Sequence, residues 1–107
     1  SISKNYSNVE LQEGMIVSNE PGFYKNGEYG IRIENLVLVK KSDTKNFLDF
    51  ETLTMFPYEE NLIDKGMLNT KQKNWINNYH NTIYNNISPH ISSEERVWLR
   101  KKTFNLT

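Results

Sequence analysis

At 107 residues with 36 % hydrophobic content, the chain is at most one domain, and its core is either modest or shared with other protein. Lys+Arg and Asp+Glu each number 13, so there is no basic excess to bind nucleic acid and no polybasic tail for a membrane surface. The lack of cysteine excludes a disulfide framework and any thiolate chemistry, and no apolar run approaches the ~20 residues of a membrane span.

The first eight residues are polar and carry no signal-peptide core, which together with the missing cysteines predicts a cytoplasmic chain. A start at Ser rather than Met leads us to expect further polypeptide upstream. Asn5-Tyr6-Ser7, Asn86-Ile87-Ser88 and Asn105-Leu106-Thr107 fit the glycosylation pattern, and without a secretion signal we read them as chance.

After Gly14, the run Met15-Ile16-Val17 reads as a buried strand leading to Glu20. Pro21-Gly22 interrupts it and can bend the strand, and Lys25-Asn26-Gly27-Glu28 is a turn signal. Residues 31–39 alternate at first and become wholly apolar from Leu36, predicting a second strand covered on both faces at its end. Residues 40–46 are a polar turn, and residues 47–55 a third strand.

After Pro57 the period changes. Trp75, Ile76, Tyr79, Ile83 and Ile87 recur at helical spacing, with Asn69 or Thr70 as N-cap and Ser88-Pro89 as the stop. Ser92 and Glu95 form a capping box for a last short helix through Val97, Trp98 and Leu99. The fold class is α+β: an antiparallel three-stranded meander followed by two helices.

The chemistry concentrates in Ser18-Asn19-Glu20-Pro21-Gly22-Phe23-Tyr24 and Gly30-Ile31-Arg32-Ile33-Glu34-Asn35. If the hairpin loop is the three-residue Asn26-Gly27-Glu28, Glu20 lies directly across from Glu34 on one face. A two-residue Asn26-Gly27 turn puts them on opposite faces instead, because a slip of one residue flips every side chain. Two carboxylates held side by side repel, and a shared proton, an arginine or a metal ion must offset that. Arg32, two residues from Glu34, is one candidate. A pair of hard divalent ions is the other, since carboxylate oxygens suit Mn or Mg and can bridge two ions. The plain alternative is a pair of surface glutamates with an Arg32 salt bridge.

At these residues the chain resembles the proline-specific aminopeptidases (aminopeptidase P) of the pita-bread metallopeptidase family. Residues 11–24 match that family's penultimate metal-ligand motif and residues 29–35 its last one. Methionine aminopeptidases, prolidases and creatinases share both glutamates, so this half names only the wider family. Phe47-Leu48-Asp49-Phe50-Glu51-Thr52-Leu53-Thr54, Trp75-Ile76-Asn77-Asn78-Tyr79-His80 and Trp98-Leu99 resemble the C-terminal extension peculiar to aminopeptidase P.

The resemblance implies that residues 1–56 are the C-terminal part of a pita-bread catalytic domain and residues 57–107 a helical extension. It implies two divalent ions, usually manganese, held by two Asp, one His and two Glu. Glu34 would bridge the ions; Glu20 would bind one and act as the catalytic proton shuttle; Tyr24 and Arg32 would orient the ligands. The Asp pair and His ligand of the motif have no counterpart: Asp43, Asp49 and Asp64 fall in no matching motif. We expect His80 and His90 to face solvent or cap helices. The chain thus reads as a C-terminal fragment, inactive alone, of an enzyme acting on peptides with proline in second position. Its partners would be the missing N-terminal part and a second copy through the helical tail. The other reading is a non-catalytic interaction or dimerisation module, with Trp75, Tyr79, Ile83, Ile87 and Trp98 as an exposed stripe; the bland version packs that stripe on the sheet.

Overall fold

The protein is described by a computed structural model over residues 9–107; Asn5-Tyr6-Ser7 and the polar leader lie outside the described residues. The chain divides between Thr54 and Met55 into two compact units, strands in the first and helices in the second. This is the α+β order expected.

In the first unit the strands are β1 (Ile16–Asn19), β2 (Gly22–Lys25), β3 (Tyr29–Arg32), β4 (Asn35–Lys41) and β5 (Leu48–Thr52). They form an antiparallel sheet in the order β1-β4-β5 and a separate β2-β3 hairpin. Two of the three expected strands are therefore each broken in two, at Glu20-Pro21 and at Ile33-Glu34. Pro21 has no N–H to give the ladder, which explains why pairing lapses there. Its carbonyl still accepts the Ile33 N–H at 3.1 Å, so the two strands stay together across the gap.

On β4, Asn35, Val37 and Val39 are buried while Leu36 is 45 % exposed. Only one face of this strand is covered among the described residues, not both as its apolar run suggested. β5 continues beyond its last pair: Leu53 N–H donates to Leu36 C=O and Leu36 N–H to Thr54 Oγ1, each at 2.8 Å.

The second unit opens with one-turn 3-10 helices at Glu60–Leu62 and Lys65–Met67, then α1 (Thr70–Ile87) and α2 (Ser93–Lys102). Asn69 caps α1 in a box with Gln72, its Oδ1 accepting the Gln72 N–H at 2.8 Å. Ser92 does the same for α2 with Glu95. Glu94 and Glu95 in the first turn of α2 and Arg100, Lys101 and Lys102 in its last turn match the helix dipole. Tyr79, Ile83 and Leu99 form the core, with Met55, Tyr58, Tyr84, Ile87 and Ile91 packed against them. The middle of the aromatic stripe is thus buried inside this unit, while Trp75 and Trp98 stay about half exposed. No described helix is long and apolar enough to cross a membrane.

His80 corrects the expectation of a solvent-facing histidine. It is fully buried; its Nε2 accepts the Tyr58 N–H at 3.2 Å and its Nδ1–H donates to the Phe104 carbonyl at 2.9 Å. One ring thereby holds both the segment before α1 and the one after α2. Asn77, one turn earlier, bonds Leu106 through both its amide atoms. His90, by contrast, is exposed.

Candidate metal-binding face of the hairpin

The position of every candidate site residue depends on the turn. Gly27 sits at φ +72°, a left-handed conformation that glycine adopts without steric cost, and Glu28 N–H bonds back to Lys25 C=O at 3.0 Å. Lys25 therefore faces Tyr29 across the three-residue loop Asn26-Gly27-Glu28, and an ion pair between Lys25 and Glu28 at 3.1 Å spans it. The two-residue turn is ruled out.

From this turn the register runs Tyr24 to Gly30, Phe23 to Ile31 and Gly22 to Arg32. Beyond the break it resumes with Asn19 opposite Asn35 and Ser18 opposite Leu36. Two residues lie between on each strand, so Pro21 faces Ile33 and Glu20 faces Glu34. No residue is inserted across the break. Within the hairpin Tyr24 and Arg32 share one face and Phe23, Tyr29 and Ile31 the other. Carrying the same alternation through the break puts Glu20 and Glu34 on the Tyr24 face and Ile33 on the opposite one.

The Arg32 guanidinium stands 3.4 Å from a Glu34 carboxylate oxygen, with both side chains about half exposed. A positive charge there would offset the repulsion of a second carboxylate brought across from Glu34. Glu20 is half-buried and Tyr24 is exposed.

The donor chemistry suits a hard divalent cation, since both facing groups are carboxylates. It is incomplete as a site: among the described residues no cluster of three or more His, Cys, Asp or Glu could hold a metal ion. The other acids are engaged or placed elsewhere. Asp49 on β5 accepts the Phe50 N–H, and Asp64 accepts the Gly66 N–H at a 3-10 turn. His80 has both ring nitrogens bonded within the second unit. Glu20 and Glu34 thus fit one side of a metal centre.

Sequence reasoning passed over Gly22 and Gly30, which the Tyr24 ring covers. The available signal was Tyr24 falling opposite a glycine once the three-residue loop is chosen.

Residues 46–106 match the C-terminal region of peptidase_M24, and residues 1–41 match metallopeptidase family M24. The chain is 42 % identical over 106 residues to the probable Xaa-Pro aminopeptidase P of Coprinopsis cinerea, a match spanning 92 % of this chain and 17 % of that protein. It is 40 % identical over 103 residues to aminopeptidase P1 of Lotus japonicus, spanning 90 % of this chain and 16 % of that protein. Among solved structures it is similar to the X-prolyl aminopeptidase from Caenorhabditis elegans, described as a cytosolic enzyme with a di-nuclear active site. The TM-score is 0.79 at 30 % identity, covering 94 % of this chain and 18 % of that one. The strands and helices match part of the pita-bread fold, and the chain spans under a fifth of the length of these relatives.

Proposed function

The chain belongs to metallopeptidase family M24, and on that premise we propose that it supplies two carboxylates to a dinuclear metalloaminopeptidase. The substrate class is a peptide with proline in second position, from which the first residue is removed. The observation that carries this reading is Glu20 directly opposite Glu34, with Arg32 and Tyr24 on the same face.

In this reading Glu34 and Glu20 would be two of the carboxylates that hold a pair of divalent ions, manganese by preference, with Glu34 shared between the two ions and Glu20 serving one of them. The ions, when bound, supply Lewis acidity at the scissile carbonyl and lower the pKa of water. The Glu20 carboxylate takes a proton during attack and returns it to the leaving amine. Arg32 fixes the orientation of Glu34, and Tyr24 contributes its hydroxyl to the same face. Residues 1–56 act as part of the catalytic domain and residues 57–107 as its helical extension.

Two carboxylates leave a divalent ion largely hydrated and weakly held. The remaining donors therefore come from polypeptide beyond the described residues, and this chain by itself is inactive. The working protein is cytoplasmic in this reading. The exposed Val97 and Trp98 of α2 favour contact with a second copy through the helical tail.

The test uses the native protein carrying this sequence, captured from its source cells with an antibody to residues 75–107. It should release the first residue from an Xaa-Pro peptide in the presence of Mn and leave the Xaa-Ala counterpart intact. Glu20→Gln should lower the rate by a factor of roughly 10²–10⁴. An unmodified native protein that leaves Xaa-Pro peptides uncut contradicts the proposal.

A further inference from the structure

Gly22, Tyr24, Gly30 and Arg32 share one face of the hairpin, with Tyr24 opposite Gly30 and Gly22 opposite Arg32. At both glycines the place where a Cβ would stand is already taken by the Tyr24 ring. A Cβ on Gly30 would lie 2.5 Å from Tyr24 Cδ1, and one on Gly22 would lie 2.7 Å from the Tyr24 hydroxyl oxygen and 2.9 Å from Cζ. The ring thus runs root to tip from Gly30 to Gly22. Its hydroxyl ends on the side nearer Glu20 and away from the turn.

Backbone conformation does not explain these glycines. Among the described residues only Gly14 and Gly27 have positive φ in this residue type, so any residue could adopt the backbone at positions 22 and 30. What they share is room. An aromatic ring leaning over the glycine opposite is a common way to cover bare strand backbone, and it accounts for Gly30. It does not account for Gly22, which is on the same strand as Tyr24 and lies under the hydroxyl end.

We propose that Gly22 and Gly30 are positioning residues, a bare floor along which Tyr24 lies so that its hydroxyl reaches the Glu20–Glu34 end of the face. The catalytic consequence rests on the proposed function; the floor itself rests on the contacts above. Tyr24 is 65 % exposed and has solvent to swing into. A side chain at position 22 therefore displaces the hydroxyl and leaves the hairpin paired.

Nuclear Overhauser spectroscopy on the full chain tests the floor. Tyr24 ε protons should contact the Gly22 α protons, Tyr24 δ protons should contact those of Gly30, and both sets of α protons should be shifted upfield by the ring. In Gly22→Ala the contact to position 22 should vanish while the Phe23–Ile31 pairing persists. Absence of these contacts in the unsubstituted chain overturns the proposal.

Turnover by the native protein tests the positioning role. Gly22→Ala and Tyr24→Phe should lower kcat by similar factors, and the double variant no further, because both remove the same hydroxyl from the same place. Losses that multiply in the double variant overturn the role. A native protein that cuts no Xaa-Pro peptide strikes the proposed function instead, and the Overhauser contacts then decide the floor on their own.

Discussion

Glu20 stands opposite Glu34 because the three-residue loop at Asn26-Gly27-Glu28 sets a register that survives a break in hydrogen bonding. Both sides of the break carry the same alignment, Asn19 with Asn35 before it and Gly22 with Arg32 after it. The relationship is a property of backbone pairing and predicts behaviour that depends on no metal.

Facing residues in an antiparallel pair have Cα atoms about 4.5–5.5 Å apart, within the roughly 4.4–6.8 Å that a disulfide spans. The double variant Glu20→Cys, Glu34→Cys should therefore close an intramolecular disulfide under mild oxidation. Glu20→Cys with Ile33→Cys should not, since those positions lie on opposite faces. Mass spectrometry of the oxidised chains after alkylation reads the difference.

Arg32 and Glu34 are an exposed pair, and such pairs contribute about 0–1 kcal/mol to stability. Arg32→Met should leave thermal unfolding of the chain nearly unchanged. In the native protein the same substitution should cost about 10–100-fold in metal affinity or turnover, the usual penalty for losing a group that orients a ligand. A stability loss without a functional one would assign Arg32 to the fold alone.

His80 makes the opposite prediction. His80→Ala removes a buried ring and both hydrogen bonds it makes, from the Tyr58 N–H and to the Phe104 carbonyl. Losing a buried hydrogen-bonding group costs about 1–3 kcal/mol and the emptied ring volume adds to it, so the second unit should lose about 3 kcal/mol or more in denaturant unfolding followed by helical circular dichroism. His90→Ala, at an exposed position, should stay within about 0.5 kcal/mol of the unsubstituted chain.

Two groups give the second unit a pH signature. Hydrogen bonds from Ser92 hold the Glu95 carboxyl below its ordinary 4.5. Its capping contribution is present above 4.5 and is lost as pH falls through the lowered value. Burial raises the Tyr79 phenol above 10.0, so its contribution is present below 10.0 and is lost as pH rises through the raised value. Carboxyl and phenol resonances followed by NMR should titrate on those sides of 4.5 and 10.0. Ser92→Ala should return Glu95 toward 4.5.

What the sequence made legible is what is encoded locally. Gly27 two residues after Lys25 announced the turn but left its loop at two or three residues, and only the Lys25–Tyr29 pairing decides for the three-residue loop that sets Glu20 across from Glu34. Ser92 with Glu95 announced one helix start through contacts three residues apart, while the other was narrowed only to Asn69 or Thr70 until the Gln72 contact closed the box on Asn69. The role of His80 was not legible because its partners are 22 and 24 residues away, and no local pattern ties it to Tyr58 or Phe104. Leu36 misled because an apolar run does not show which face is covered. Gly22 and Gly30 were hidden for a related reason: a glycine needed for space rather than for φ looks ordinary until the ring above it is placed.

If Glu20 and Glu34 are metal ligands, the metal content of the native protein depends on both of them. Elemental analysis of the native protein should find two divalent ions per chain, with most of that metal lost in Glu34→Gln and a smaller loss in Glu20→Gln. Full metal content in Glu34→Gln would contradict the account and leave the facing glutamates as a surface pair held by Arg32.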